Sequence, residues 1–100
     1  MPKPEKAPLT ETRIDKWLWA ARFYKTLSLA AAAVKGGKVR INGGREKASR
    51  MVRQGDQLHI ARGDIAFDLT IDEISDKRGP AKKAVTLYTE SAESIRKREL

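Results

Sequence analysis

Arg13, Lys16, Arg22 and Lys25 are interleaved with Trp17, Trp19, Phe23 and Tyr24. Cations of this kind pair with phosphate oxygens, and aromatic rings stack on bases, so the mixture suits a polyanion with exposed flat groups. It also suits a core helix with a charged outer side, or a helix lying among lipid headgroups. A second set of cations follows in Lys38 and Arg40, then Arg45, Lys47, Arg50 and Arg53. Between the two sets there is no phosphate-binding glycine loop of the Gly-x-x-x-x-Gly-Lys type, although "GGKVRINGG" is glycine-rich.

Other chemistry finds little support. The chain has no cysteine, which excludes disulfides, thiolate zinc sites and cysteine nucleophiles. His59 is its one histidine and sits at the centre of an expected strand, where a structural role is the simpler reading. Asp68, Asp72, Glu73 and Asp76 could suggest a metal site, but Asp68 and Asp72 alternate with apolar residues and read as a solvent face. Neither an enzymatic activity nor a cofactor or metal is expected.

The charge is segregated. Of the net +8, residues 13–53 hold eleven Lys/Arg against only Asp15 and Glu46, while residues 54–100 hold eight basic and nine acidic side chains. Solubility alone does not require that separation, whereas binding a polyanion uses it. Charge alone admits RNA, DNA or acidic lipid.

One hundred residues bound the answer to one small domain with tails. Residues 1–11 are polar and proline-rich and are expected to form a disordered arm. They hold no apolar run that would mark a secretory signal, and no stretch reaches the roughly 20 apolar residues of a membrane span. A cytoplasmic monomer is expected, without membrane contact. The chain stops on a charged helix, and the natural protein is expected to continue.

The elements that must position the cations can be read from period and punctuation. Thr12 opens a helix, with Asp15 three residues on as a variant capping box. Ile14, Trp17, Leu18 and Ala21 form its apolar stripe, bordered by Tyr24. Counting about 100° per residue puts Trp19 and Phe23 on the other side, near Lys16. Those two rings either pack under another element such as the C-terminal helix, stack on unpaired bases, or dip into lipid. Thr26 is the expected N-cap of a second, alanine-rich helix whose buried side is Leu29, Ala30, Ala33 and Val34, and Gly36 or Gly37 ends it.

The period then changes to two. Val39 and Ile41 point one way, and Lys38 and Arg40 the other, before a turn at residues 42–44. "QLHIA" and "DIAFDLTID" read as strands joined by Arg62-Gly63-Asp64, a tripeptide of cell-adhesion motifs that fits a hairpin turn here. "DKRGPAKK" is an expected loop, "AVTLY" a last strand and "TESAESIRKREL" a closing helix with acids first and bases last. The fold class is α+β, with two helices packed on a small antiparallel sheet and a C-terminal helix.

Three motifs in this order carry a resemblance: Arg13-Ile14-Asp15, then Gly37-Lys38-Val39-Arg40-Ile41-Asn42-Gly43, then Gly55-Asp56. Residues 12–60 resemble the RNA-binding domain first defined in ribosomal small-subunit protein four, a helix-turn-helix on a hairpin called the alpha-L motif. Residues 61–100 then read as a hairpin, strand and C-terminal helix extending the same domain. "DKWLWAARFYKT" and "ESAESIRKREL" are similar to one branch of that family, bacterial heat-shock protein fifteen.

The resemblance implies a non-enzymatic protein that binds structured ribosomal RNA. It further implies large ribosomal subunits that still hold a nascent chain on transfer RNA, and aid in recycling them after stress. By that matching Arg13, Lys16, Lys38, Arg40 and Asn42 fall on the RNA face and Lys25 and Thr26 at the start of the second helix; Arg22 and Arg45 of the basic segment complete the expected RNA-binding set. The sequence departs from the family at Leu27 and Ala31, where Arg is common, which shifts the expected contacts from helix two to helix one and the hairpin.

Overall fold

A computed structural model describes residues 9–99. Two helices, α1 (Ile14–Ala20) and α2 (Leu27–Lys35), cover one side of an antiparallel sheet. The strands are β2 (Val39–Ile41), β3 (Gly44–Arg45), β5 (Gln57–Arg62), β6 (Ile65–Ile71) and β7 (Tyr88–Glu90), in the spatial order β3-β2-β5-β6-β7. A separate ribbon pairs β1 (Glu11–Arg13) with β4 (Met51–Arg53). Between β6 and β7 lie a helical turn, α3 (Ala81–Ala84), and a 3-10 turn (Val85–Leu87), and the described chain closes with α4 (Ala92–Glu99). The expected α+β class with a two-helix layer on an antiparallel sheet holds.

Hydrophobic burial assembles this arrangement. Ile14, Trp17 and Leu18 of α1 and Ala30, Ala33 and Val34 of α2 meet Val39, Ile41, Leu58, Ile60, Leu69 and Ile71 from alternate strand positions. The alternation leaves Arg40, His59 and Asp68 on the opposite side of the sheet, aligned across β2, β5 and β6. Asn42 and Gly43 both take positive φ, 51° and 84°, in the two-residue turn that brings Ile41 opposite Gly44. That is the turn whose twist matches a right-handed hairpin, and Asn-Gly is its preferred pair.

The start of α1 differs from expectation. Residue 11, expected to end the arm, and residue 12, expected to open the helix, both pair with β4; residues 1–8 of that arm lie outside the described part. Arg13 is the helix N-cap, without a side-chain cap bond, and Asp15 instead accepts from the Lys16 backbone N–H at 2.7 Å and from the Arg13 guanidinium. The capping-box pattern is present in sequence, but the extended β1 pairing fixes Thr12 first.

The end of α1 differs more. The expected stripe runs on to Tyr24, but the helix stops at Ala20. Arg22 adopts φ 65°, its N–H reaching the Trp19 carbonyl, while the Phe23 N–H reaches the Leu18 carbonyl at 3.0 Å. This double closure is a Schellman cap, usually made by glycine. With Arg there, no punctuation betrays it. The turn swings Phe23 off the outer side and into the core, where it lies 95% buried against Trp17, Phe67 and Tyr88.

Most of the remaining elements follow their signals, but Leu29, expected on the buried side of α2, is exposed, and only Ala30, Ala33 and Val34 of that side are buried. Thr26 caps α2 by accepting from the Leu29 N–H, and Gly37, at φ 81°, turns the chain out of that helix. The expected strand at 84–88 is displaced: Ala84 ends α3, residues 85–87 form the 3-10 turn, and pairing begins at Tyr88. Pro80, as N-cap of α3, starts a helical turn that consumes the first apolar residues. Ser91 accepts from the Ser94 N–H at the start of α4.

Candidate nucleic-acid interface

Two surfaces carry the candidate cations. The first is a groove of about 640 Å³ between α2 and the β3–β4 connection. Ala31, Ala32 and Ala48 give it a small-residue floor, and Lys35, Arg45 and Lys47 supply cations around it. Arg45 ties the two walls by donating from Nη2 to the Lys35 carbonyl at 2.8 Å, where the exposed carbonyls of a helix C-terminus attract a cation. The α1 N-terminus meets the same connection, because the Ile14 N–H donates to the Arg50 carbonyl and the Asp15 N–H to that of Ala48. Arg13 and Lys16 therefore stand exposed next to the groove.

The second surface is the side of the sheet opposite α1 and α2, bordered at its β6 end by α4. Arg45 lies directly across from Arg40, and Arg40 across from His59, so a cationic row leads from the groove over β2. The row ends where the His59 ring Nδ1 meets the Asp68 carboxylate at 2.6 Å. A His–Asp pair with Ser94 nearby invites comparison with a nucleophile relay. Ser94, however, is buried; its hydroxyl donates to Glu90 and accepts from the Asp68 N–H. It has no proton path through His59.

The nine sequence candidates divide by what their side chains already do. Arg13, Lys16, Arg40 and Arg45 gather around the groove and its row. Lys38 borders a smaller cavity of about 340 Å³ with Tyr24, Leu29 and Arg62. Thr26 spends its hydroxyl on the α2 cap. The Asn42 amide accepts from the Gln57 N–H at 2.9 Å and donates to Asp56, so it clamps the hairpin to the Gly55-Asp56 turn. Arg22 donates to the Gly79 carbonyl at 3.0 Å and, with Lys25, stands apart at the far end of α1.

The departures at Leu27 and Ala31 now have a place. Leu27 is exposed on α2 and Ala31 forms groove floor, so the groove keeps its shape while its charge comes from Lys35, Arg45 and Lys47. Lys35 and Lys47 escaped the sequence reading as contacts. Lys47 belongs to the basic run after Asn42-Gly43 and Lys35 is the cation that ends α2, and only folding brings β3 against that C-terminus.

The comparisons with known proteins agree with this fold. The S4 domain matches residues 12–58, which span both helices, the hairpin and the groove. Heat shock protein 15 of Escherichia coli strain K12 is 45% identical over 95 residues, covering 95% of this chain and 71% of its own. The chain belongs to the heat shock protein 15 family. A trimeric structure of Vibrio cholerae heat shock protein 15 superposes with a TM-score of 0.86 at 53% identity, covering 89% of this chain and 90% of that one. A more distant relative, the RQC P-site tRNA stabilizing factor of Bacillus subtilis, is 32% identical over 77 residues, covering 77% of this chain and 88% of its own.

Proposed function

We propose that the protein is a non-enzymatic RNA-binding factor of the bacterial cytoplasm that acts on the ribosome. Its target is structured ribosomal RNA on large subunits carrying a nascent chain on transfer RNA, and its role is to aid their recycling. The observation that carries this reading is the continuous cationic path from the α2–β3 groove to Arg40, built on an S4 scaffold. Support for the ribosomal setting comes from the names of the relatives, one of which stabilises P-site transfer RNA.

The groove explains how an S4 scaffold reads RNA in this chain. Arg13, Lys16, Lys35, Arg40, Arg45 and Lys47 contact phosphates, while the alanine floor lets the backbone approach closely. The deep major groove of an A-form helix hides base edges, so recognition rests on phosphate spacing and shape. Thr26 and Asn42 act by holding the frame. Non-specific DNA binding at low salt is an expected consequence of the same charges.

Sedimentation with separated ribosomal subunits and nascent-chain complexes across a salt series tests the proposal. Comigration with large subunits that weakens with salt is expected, and reversal of Lys35 and Arg40 to Glu lowers it. Absence of comigration at low salt defeats the ribosomal reading. Binding to acidic liposomes without binding to subunits marks a general polyanion binder instead.

A further inference from the structure

The β6–β7 connection lies outside the S4 match and belongs to the half of the chain whose charges nearly cancel. Within it, however, residues 76–83 hold Lys77, Arg78, Lys82 and Lys83 against a single acid, Asp76. The fold straps the β6–β7 connection onto α1 and the turn that follows it at three points. The Trp17 ring Nε1 donates to the Glu73 carbonyl at 2.9 Å. Arg78 donates from Nη1 to the carbonyls of Trp19 and Tyr24, at 2.6 and 3.0 Å. Arg22 donates to the Gly79 carbonyl.

These bonds do more than anchor a loop. The Arg78 guanidinium sits 5.9 Å from the centroid of the Trp19 ring, a cation–π distance, which covers that ring in part. Arg22 holds a positive φ that glycine would hold without strain, and its side chain is the one that reaches the loop. Lys77 and Lys82 flank the strapped segment, and Lys25 follows Tyr24, whose carbonyl Arg78 grips. All three are exposed and form no ion pair among the described residues; Lys83 is partnered by Glu73. The cluster lies on the helix side of the sheet, whereas Arg40 projects from the other side.

We propose that this cluster is a second phosphate-gripping face. Lys25, Lys77 and Lys82 contact a second segment of structured RNA, and Arg22, Arg78 and Trp19 position the loop that presents them. The inference rests on the RNA-binding reading above and extends it from one face to two. A domain charged on both sides of its sheet can hold two RNA segments in a fixed relation, which a single groove cannot do.

The test uses the full chain and purified large ribosomal subunits across a potassium chloride series. Removing one cation from a phosphate should reduce the slope of log affinity against log salt by roughly 0.7–0.9. Lys77→Glu with Lys82→Glu should weaken binding at least tenfold and lower the slope by about 1.5. Arg96→Glu with Lys97→Glu on α4 makes the same change in net charge elsewhere and should cost clearly less. A loop variant no weaker than the α4 variant overturns the second face. Should the Lys35/Arg40 reversal also leave binding unchanged, the RNA-binding reading itself fails.

Trp19 provides a readout that charge reversal does not. With ribosomal RNA extracted from large subunits, binding should shield Trp19 from acrylamide quenching. The Trp19→Phe variant, whose remaining tryptophan is the buried Trp17, should show no change. Equal quenching of the parent chain with and without bound RNA contradicts the proposal.

Discussion

Replacing Phe23 by Ala separates the readings its sequence position allows. A ring stacking on bases or lipid from the outer side of a helix contributes little to folding, and its loss should stay within about 0.5 kcal/mol. The Phe23 ring instead lies 5.0 Å from Tyr88, 5.5 Å from Phe67 and 6.3 Å from Trp17, centroid to centroid. Truncation removes the transfer energy of a buried ring and leaves a cavity between helix and sheet, for a loss of about 3–5 kcal/mol. In a domain of this size that lowers the melting temperature by at least about 12 °C. Urea unfolding followed by circular dichroism measures it. Phe23→Leu keeps most of the volume, forfeits the aromatic pairings, and should lose about 1–2 kcal/mol while keeping its RNA affinity. A loss below about 1 kcal/mol for Phe23→Ala, with an unchanged denaturant slope, would refute the core assignment. So would a well-folded Phe23→Leu protein that no longer binds RNA.

Asp15→Ala deprives Arg13 and the Lys16 N–H of their acceptor and should lower stability by about 1–3 kcal/mol; a thermal melt indistinguishable from the parent would show that the bridge contributes nothing. Gly43→Ala meets no atom within 4 Å yet must hold φ 84°, so a purely conformational loss of about 1–2 kcal/mol is expected in chemical denaturation, with none if the hairpin can adopt another turn. Burial pushes the Tyr24 and Tyr88 phenols above their ordinary 10.0, with Glu90 adding to the rise at Tyr88. The folded state thus holds these protons more tightly, so their contribution is complete below pH 10.0 and is lost as pH rises through the raised values. Changing both to Phe should flatten the alkaline fall in stability, and an identical alkaline profile would count against the shifts.

Local signals made much of this fold legible. The Thr26 cap, the Asn42-Gly43 turn, the alternation of Ile65 to Ile71 and the dipole-matched C-terminal helix each announce themselves within a few residues, and each is found in place. The misreadings arise where a long-range contact decides a local conformation. Thr12 is extended because β4 pairs with it, forty residues away in sequence. The α1 helix ends at an Arg in a glycine conformation, and that Arg is bonded to Gly79. No helical period can reveal such a stop, so the projection carried Phe23 to the wrong side.

The same logic governs the cations. Summing charge over residues 54–100 yields near-neutrality, because Asp64, Asp68, Asp72 and the α4 acids offset the bases. Electrostatic attraction acts through distance in space rather than in sequence, and exposed charges more than about 8–10 Å apart are largely screened from one another at physiological salt. The local density at residues 76–83 therefore matters more than the sum, once Arg22 and Arg78 have fixed the run beside Lys25. Arg22 links the two misreadings. Its strained turn puts Phe23 in the core, and its side chain reaches the loop, so Arg22→Gly should relieve the backbone and release the connection together. Core stability should then be kept or improved while the salt slope falls, whereas an unchanged slope would show that the loop holds its place without Arg22.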